Sequence, residues 1–118
     1  MSLPFEPAKV AIRQTGSVVI VDLAGRVTVG ESAALVRKTI QDLVAGKHKH
    51  VILNLKDLTY VDSAGLGEMV KALTSVRDLG GDLKLVNPQP RITHLLEITK
   101  LTMLFAILPD ENAAVLSF

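Results

Sequence analysis

The sequence has no cysteine and no tryptophan among its 118 residues, and aromatic residues make up only 3% of it. Without cysteine there are no disulfides, no thiolate metal sites and no thiol nucleophile, so a reducing cytoplasm is the expected compartment. Without large rings the core must be aliphatic, and the 48% hydrophobic content supplies it from Val, Leu and Ile. Charge of one sign is lacking too: 13 basic against 12 acidic residues leave +1. Nucleic-acid binding calls for a basic excess, so no direct DNA binding is expected. No run approaches the ~20 apolar residues of a membrane span, so no membrane insertion is expected either. Met1 to Pro7 lacks the basic-then-apolar order of a secretion signal and is expected to be a poorly ordered segment ahead of a single domain spanning 1–118. Repeats, linkers and low-complexity tracts are absent.

What is present reads as alternating strands and helices. Ala8 to Gln14 alternates, with Val10 and Ile12 set against Lys9 and Arg13, and predicts a half-buried strand. Thr15-Gly16-Ser17 is a turn, and Val18 to Leu23 a second strand, which together make an antiparallel hairpin. After Gly25, Thr28 and Glu31 have capping-box spacing, and Ala33, Val36, Ile40, Leu43 and Val44 recur at helical spacing up to Gly46. Val51 to Leu55 is continuously apolar, as in a buried parallel strand, and Asp57 reads as a turn residue after it. Leu66, Met69, Val70, Leu73 and Val76 mark a second helix, stopped by Gly80-Gly81. Leu83 to Val86 is a strand, Pro90 opens a third helix with Ile92, Leu95 and Leu96 inward, Phe105 to Leu108 is the last strand, and Asp110 caps a short final helix. The order β-β-α-β-α-β-α-β-α predicts an α/β fold with a mixed, mostly parallel sheet that starts with the hairpin.

In such sheets the loops after the carboxyl ends of the strands carry function. The one leading from Asp57 to Gly67 places Ser63 at a helix start, where unpaired N–H groups and the helix dipole favour an anion. Local pattern alone reads Asp62 and Ser63 as helix caps. Other chemistry finds little support. His48 and His50 lie among Lys47 and Lys49, with His94 far along the chain, so no metal site is expected. Gly65-Leu66-Gly67 lacks the third glycine of a dinucleotide fingerprint, no Gly-Lys-Ser/Thr follows, and Ser63 has no G-x-S-x-G frame. A receiver-type phosphoacceptor at Asp57 would need an acidic pair where Gln14-Thr15 stands. Met69 and Met103 read as core filler, and Lys38, Lys71, Arg77 and Asp78 as solvated helix faces.

The segment Asn54-Leu55 through Asp57-Leu58-Thr59-Tyr60-Val61-Asp62-Ser63-Ala64-Gly65-Leu66-Gly67 resembles the signature of the STAS family of sulphate transporters and anti-sigma factor antagonists. The run DSAGLG is similar to that family's phosphorylation motif, and the resemblance covers nearly the whole chain. It implies that Ser63 is phosphorylated by a serine kinase that is also the anti-sigma factor, and that a phosphatase resets it. It also implies that the unmodified protein binds this partner through Asp62, Ser63, Ala64, Gly65, Leu66 and Gly67, with Leu66 as an exposed apolar contact. On this reading the protein is no enzyme, needs no cofactor, and at most forms a weak homodimer. One departure stands out: Gly25-Arg26-Val27-Thr28 has Thr28 where the family carries an acid. The alternative implied function is a STAS subunit of a lipid-transport or other membrane assembly without a phosphoryl switch, in which Ser63 only caps a helix.

Overall fold

The computed structural model describes residues 7–118. The segment expected to be poorly ordered therefore lies, except for Pro7, outside the described residues. In chain order the elements are β1 (Lys9–Thr15), β2 (Val18–Val27), α1 (Glu31–Ala45), β3 (His50–Val61), α2 (Ser63–Asp78), β4 (Asp82–Val86), α3 (Pro90–Ile98), a 3-10 turn (Leu101–Met103), β5 (Ala106–Leu108) and α4 (Glu111–Leu116). The five strands lie in sequence order, with β1–β2 antiparallel and every later pair parallel. Each parallel step is bridged by a helix, as a crossover requires.

Two apolar layers sandwich the sheet. Val36 and Ile40 of α1, Met69 and Leu73 of α2, and Ile92 and Leu96 of α3 pack on one face against Val21, Leu53 and Leu85. On the other face α4 packs Ala114 over Ile20, Ile52 and Val86. The strands Val18–Val21 and Val51–Leu53 are buried on both faces, which explains their unbroken apolar runs. The rest of the second face is polar. Arg13 pairs with Asp22 at 2.7 Å and with Glu111 at 2.6 Å, and Asn54 donates to Asp22 at 2.8 Å. This network fastens α4 to the hairpin, and the Arg13 guanidinium holds the Asp22 carboxyl below its usual range.

Several expectations need correction. β1 is an outermost strand with a neighbour on one side only, so Val10 is half-buried but Ile12 is 49% exposed. β3 does not end at Leu55; β2 continues to Val27 and keeps pairing with it through two register shifts, which places Asp57 opposite Ala24 inside the ladder and not in a turn. Met103 is no core filler, because the 3-10 turn after α3 leaves it 85% exposed. Arg77 is not simply solvated either: it bonds Asp82 and the Leu104 carbonyl. The Thr28–Glu31 capping box does not form. Gly30, at φ 107°, occupies the cap position with no side-chain cap bond, and the Thr28 carbonyl, not its hydroxyl, meets the first turn by accepting from the Ala33 N–H at 3.0 Å. Thr28 instead exchanges two hydrogen bonds with Ser32, accepting from its hydroxyl at 3.0 Å and donating its N–H at 2.7 Å.

Candidate functional site

The long β3 delivers Asp62 and Ser63 to the carboxyl end of the sheet, where α2 starts. Asp62 has extended backbone, and its Oδ1 accepts from the Gly65 N–H at 2.9 Å, which caps α2. Its Oδ2 accepts from the Val29 N–H at 2.9 Å, in the loop between β2 and α1. The Asp62 N–H donates to the Val27 carbonyl at 3.3 Å. One aspartate thus ties two loops together. The Gly65 bond, then the Val29 bond, pull the Asp62 carboxyl below its usual range.

Ser63 is the first residue of α2 and is exposed. Its hydroxyl has no hydrogen-bond partner among the described residues, whereas a serine acting as cap would accept from an amide two or three positions on. Asp62 does the capping and Ser63 is left free. Ala64 and Gly67 are half-buried beside it.

Gly65 and Leu66 serve the domain itself. A Cβ on Gly65 would collide with the Val61 side chain and lie 2.5 Å from the Val27 carbonyl oxygen, so only glycine lets α2 approach the end of β2. At Gly67 a Cβ would meet open space. Leu66, expected to be an exposed contact, is only 8% exposed. It begins the inward stripe Leu66, Met69, Leu73, Val76, and the 3–4–3 spacing of that stripe turns it toward the sheet. Exposed apolar side chains near Ser63 are instead Val29, 76% exposed on the loop that Asp62 holds, and Ile98, which shares a groove with Ser63. Sequence reading missed Val29 because its link to Asp62 spans 33 residues and uses a backbone amide.

Ser63 also stands on the rim of a groove of about 460 Å³ between the start of α2 and α3. Val61, Leu66, Ile92, Leu95 and Ile98 make it apolar, and Arg91 and His94 stand on its α3 side. Arg26 of β2 stacks on the neighbouring Tyr60 ring at 4.2 Å. A second feature unforeseen from sequence is Glu68, 5% exposed within α2. Arg37 of α1 reaches it at 3.1 Å, and Lys71 lies 3.6 Å away. Lys71 stands three residues on along the same helix, whereas only the packing of α1 against α2 brings Arg37 to Glu68.

Among the described residues no group of three or more His, Asp and Glu is placed to hold a metal. No described helix is long and apolar enough to cross a membrane.

Comparison with known proteins gives this arrangement its context. The profile of the STAS domain family matches residues 9–114. The anti-sigma-B factor antagonist of Bacillus subtilis is 34% identical over 92 residues, which cover 78% of this chain and 83% of that protein. The crystal structure of an anti-sigma factor antagonist from Mycobacterium paratuberculosis superposes with a TM-score of 0.83 at 18% identity, over 99% of this chain and 97% of the other. The Bacillus cell fate determinant SpoIIAA in its phosphorylated form superposes with a TM-score of 0.72 at 19% identity, over 93% and 100% of the two chains. At those identities the two structures speak for the fold alone. The length of the family match, with the identity to the Bacillus subtilis antagonist, establishes that this chain belongs to the STAS domain family, in the company of anti-sigma factor antagonists.

Proposed function

We propose that this protein is an anti-sigma factor antagonist switched by phosphorylation of Ser63. The observation that carries the reading is the division of labour between Asp62 and Ser63. The carboxylate takes the capping and loop-tying bonds, and the neighbouring hydroxyl is exposed and unbonded. A hydroxyl needed only as a cap would not be left free in this way.

In the unmodified state an anti-sigma factor that is also a serine kinase docks on the surface formed by Asp62, Ser63, Ala64, Gly67 and the exposed Val29. Gly65 and Leu66 support that surface from within. The Ser63 oxygen attacks the γ-phosphorus of the nucleoside triphosphate held by the kinase. The new O–P bond forms as the bond to the diphosphate breaks, and the hydroxyl proton passes to a base of the kinase. The product carries about −1.5 to −2 extra charges at the centre of the contact. Burying that charge against a pocket shaped for a hydroxyl is unfavourable, and ~3 kcal/mol weakens binding about a hundredfold. A phosphatase restores the hydroxyl. The protein is substrate and ligand in this cycle and performs no catalysis.

The test is incubation with the cognate kinase and ATP, followed by mass-spectrometric mapping. Modification on Ser63 is expected. Efficient modification elsewhere, with Ser63 untouched, rejects the reading.

A further inference from the structure

A phosphate on Ser63 finds few spare donors at the start of its own helix. Three amides there, at Ser63, Ala64 and Gly65, lack partners within the helix; the next, at Leu66, already bonds the Asp62 carbonyl. Of the three, the Gly65 amide is taken by Asp62, whose carboxylate also draws on the Ala64 amide. The same carboxylate repels a phosphate from its own side. Within the domain, the cations able to compensate it lie across the groove.

Arg91 and His94 stand there, one helical turn apart on α3, lining the same groove as Ser63. Arg91 is exposed at the second position of α3, the positive end of the helix dipole, where a cation is disfavoured. No acidic residue shares that first turn, and among the described residues Arg91 enters no ion pair. The Arg91 charge is thus unpaired among the described residues of the unmodified domain and well suited to an anion arriving at Ser63. The remaining charged or titratable groups facing this end of the groove are Asp62 and Tyr60 of the β3–α2 segment, with Arg26 of β2 occupied on the Tyr60 ring.

We infer that Arg91 and His94 form an internal receptor for the phosphoryl group of Ser63, holding it across the mouth of the groove between α2 and α3. The inference rests on Ser63 as the acceptor and adds a second effect to its modification. The bridged phosphate closes the Ser63 end of the groove over Leu66 and Ile92, so the partner meets a covered surface as well as a charged one.

The experiment uses full-length protein with phosphoserine installed at position 63 during synthesis, so that no kinase is involved. A pH titration followed by phosphorus NMR reads the second ionisation of the phosphate. That ionisation is expected below the ~6 of a free phosphoserine. Arg91→Gln should move it up by about half a unit, as loss of a nearby cation does at a solvated site. His94→Gln should move it in the same direction, and Arg91→Lys should recover part of the shift. Identical ionisation in the parent and in both Gln variants overturns the receptor. If Arg91→Gln fails to fold, His94→Gln alone decides. Because the phosphate is built in, this outcome is separate from whether a kinase selects Ser63, which site mapping decides.

Discussion

Replacing Asp62 with asparagine separates the two tasks of its carboxylate. Oδ1 caps α2 through Gly65, and Oδ2 holds the Val29 amide, both at 2.9 Å. Asparagine keeps one acceptor oxygen and substitutes an NH2 for the other, which would then point a donor at the Val29 donor. The cap survives and the tie between the loops is lost. A hydrogen bond to a charged group contributes ~1.5–3 kcal/mol net, with the low end fitting a half-exposed site. Alanine loses the cap as well, a further ~0.5–2 kcal/mol. For a domain of this size each kcal/mol moves the melting midpoint by roughly 3–6 °C. Asp62→Asn should therefore lower it by roughly 5 °C and Asp62→Ala by roughly 10 °C at neutral pH. The pH dependence has a definite sign. Because folding depresses the Asp62 ionisation, its stabilisation is complete above the unfolded value of ~3.9 and is lost as pH falls through the lower folded value. The gap between parent and Asp62→Asn should be full at pH 7 and shrink below pH ~4. Thermal melts by circular dichroism across that range are the assay. Equal midpoints at pH 7, or a gap that persists unchanged into acid, would refute the role given to the second oxygen.

The neighbouring positions give contrasting outcomes. Gly65→Ala forces a methyl against Val61 and the Val27 carbonyl and should cost ~1–3 kcal/mol, whereas Gly67→Ala meets open space within a helix and should be neutral or stabilising by up to ~1 kcal/mol; chemical denaturation of both variants checks this. Arg37→Ala strips the buried Glu68 of its closest cation and should destabilise by ~1–3 kcal/mol, with Arg37→Ala/Glu68→Leu recovering much of the loss in a double-mutant cycle. Ser63→Ala removes a hydroxyl that bonds nothing in the described structure, so melts should coincide with the parent within a degree or two while kinase labelling disappears.

Much of this architecture was legible because each element carries its own signal. The doubly buried strands at Val18–Val21 and Val51–Leu53 are continuously apolar, and the inward stripe of α2 recurs at helical spacing. The resemblance around Asp62 and Ser63 pointed to the same helix start that the fold displays. What sequence reading lost depends on contacts between distant segments. Leu66 looked exposed beside two glycines, but Gly65 is there to admit Val27 and Val61, and that close approach buries Leu66. The capping box at Thr28 has correct spacing, yet a positive-φ glycine at position 30 resets where α1 begins. Asp57 looked like a turn because β3 loses its apolar run at Lys56, while pairing to β2, which itself runs on to Val27, carries the strand on to Val61. The Arg37–Glu68 pair and the groove facing Arg91 arise only when helices from separate parts of the chain pack together.

The central claim is that the state of Ser63 sets the affinity for an anti-sigma partner without altering the fold. Calorimetric titration of the cognate anti-sigma factor with unmodified protein and with protein phosphorylated on Ser63, paired with a thermal melt of each form, tests it directly. The phosphate is expected to weaken binding about a hundredfold or more, with melting midpoints within a few degrees of each other. Equal affinities for the two forms, or a phosphorylated protein that no longer folds, would contradict it.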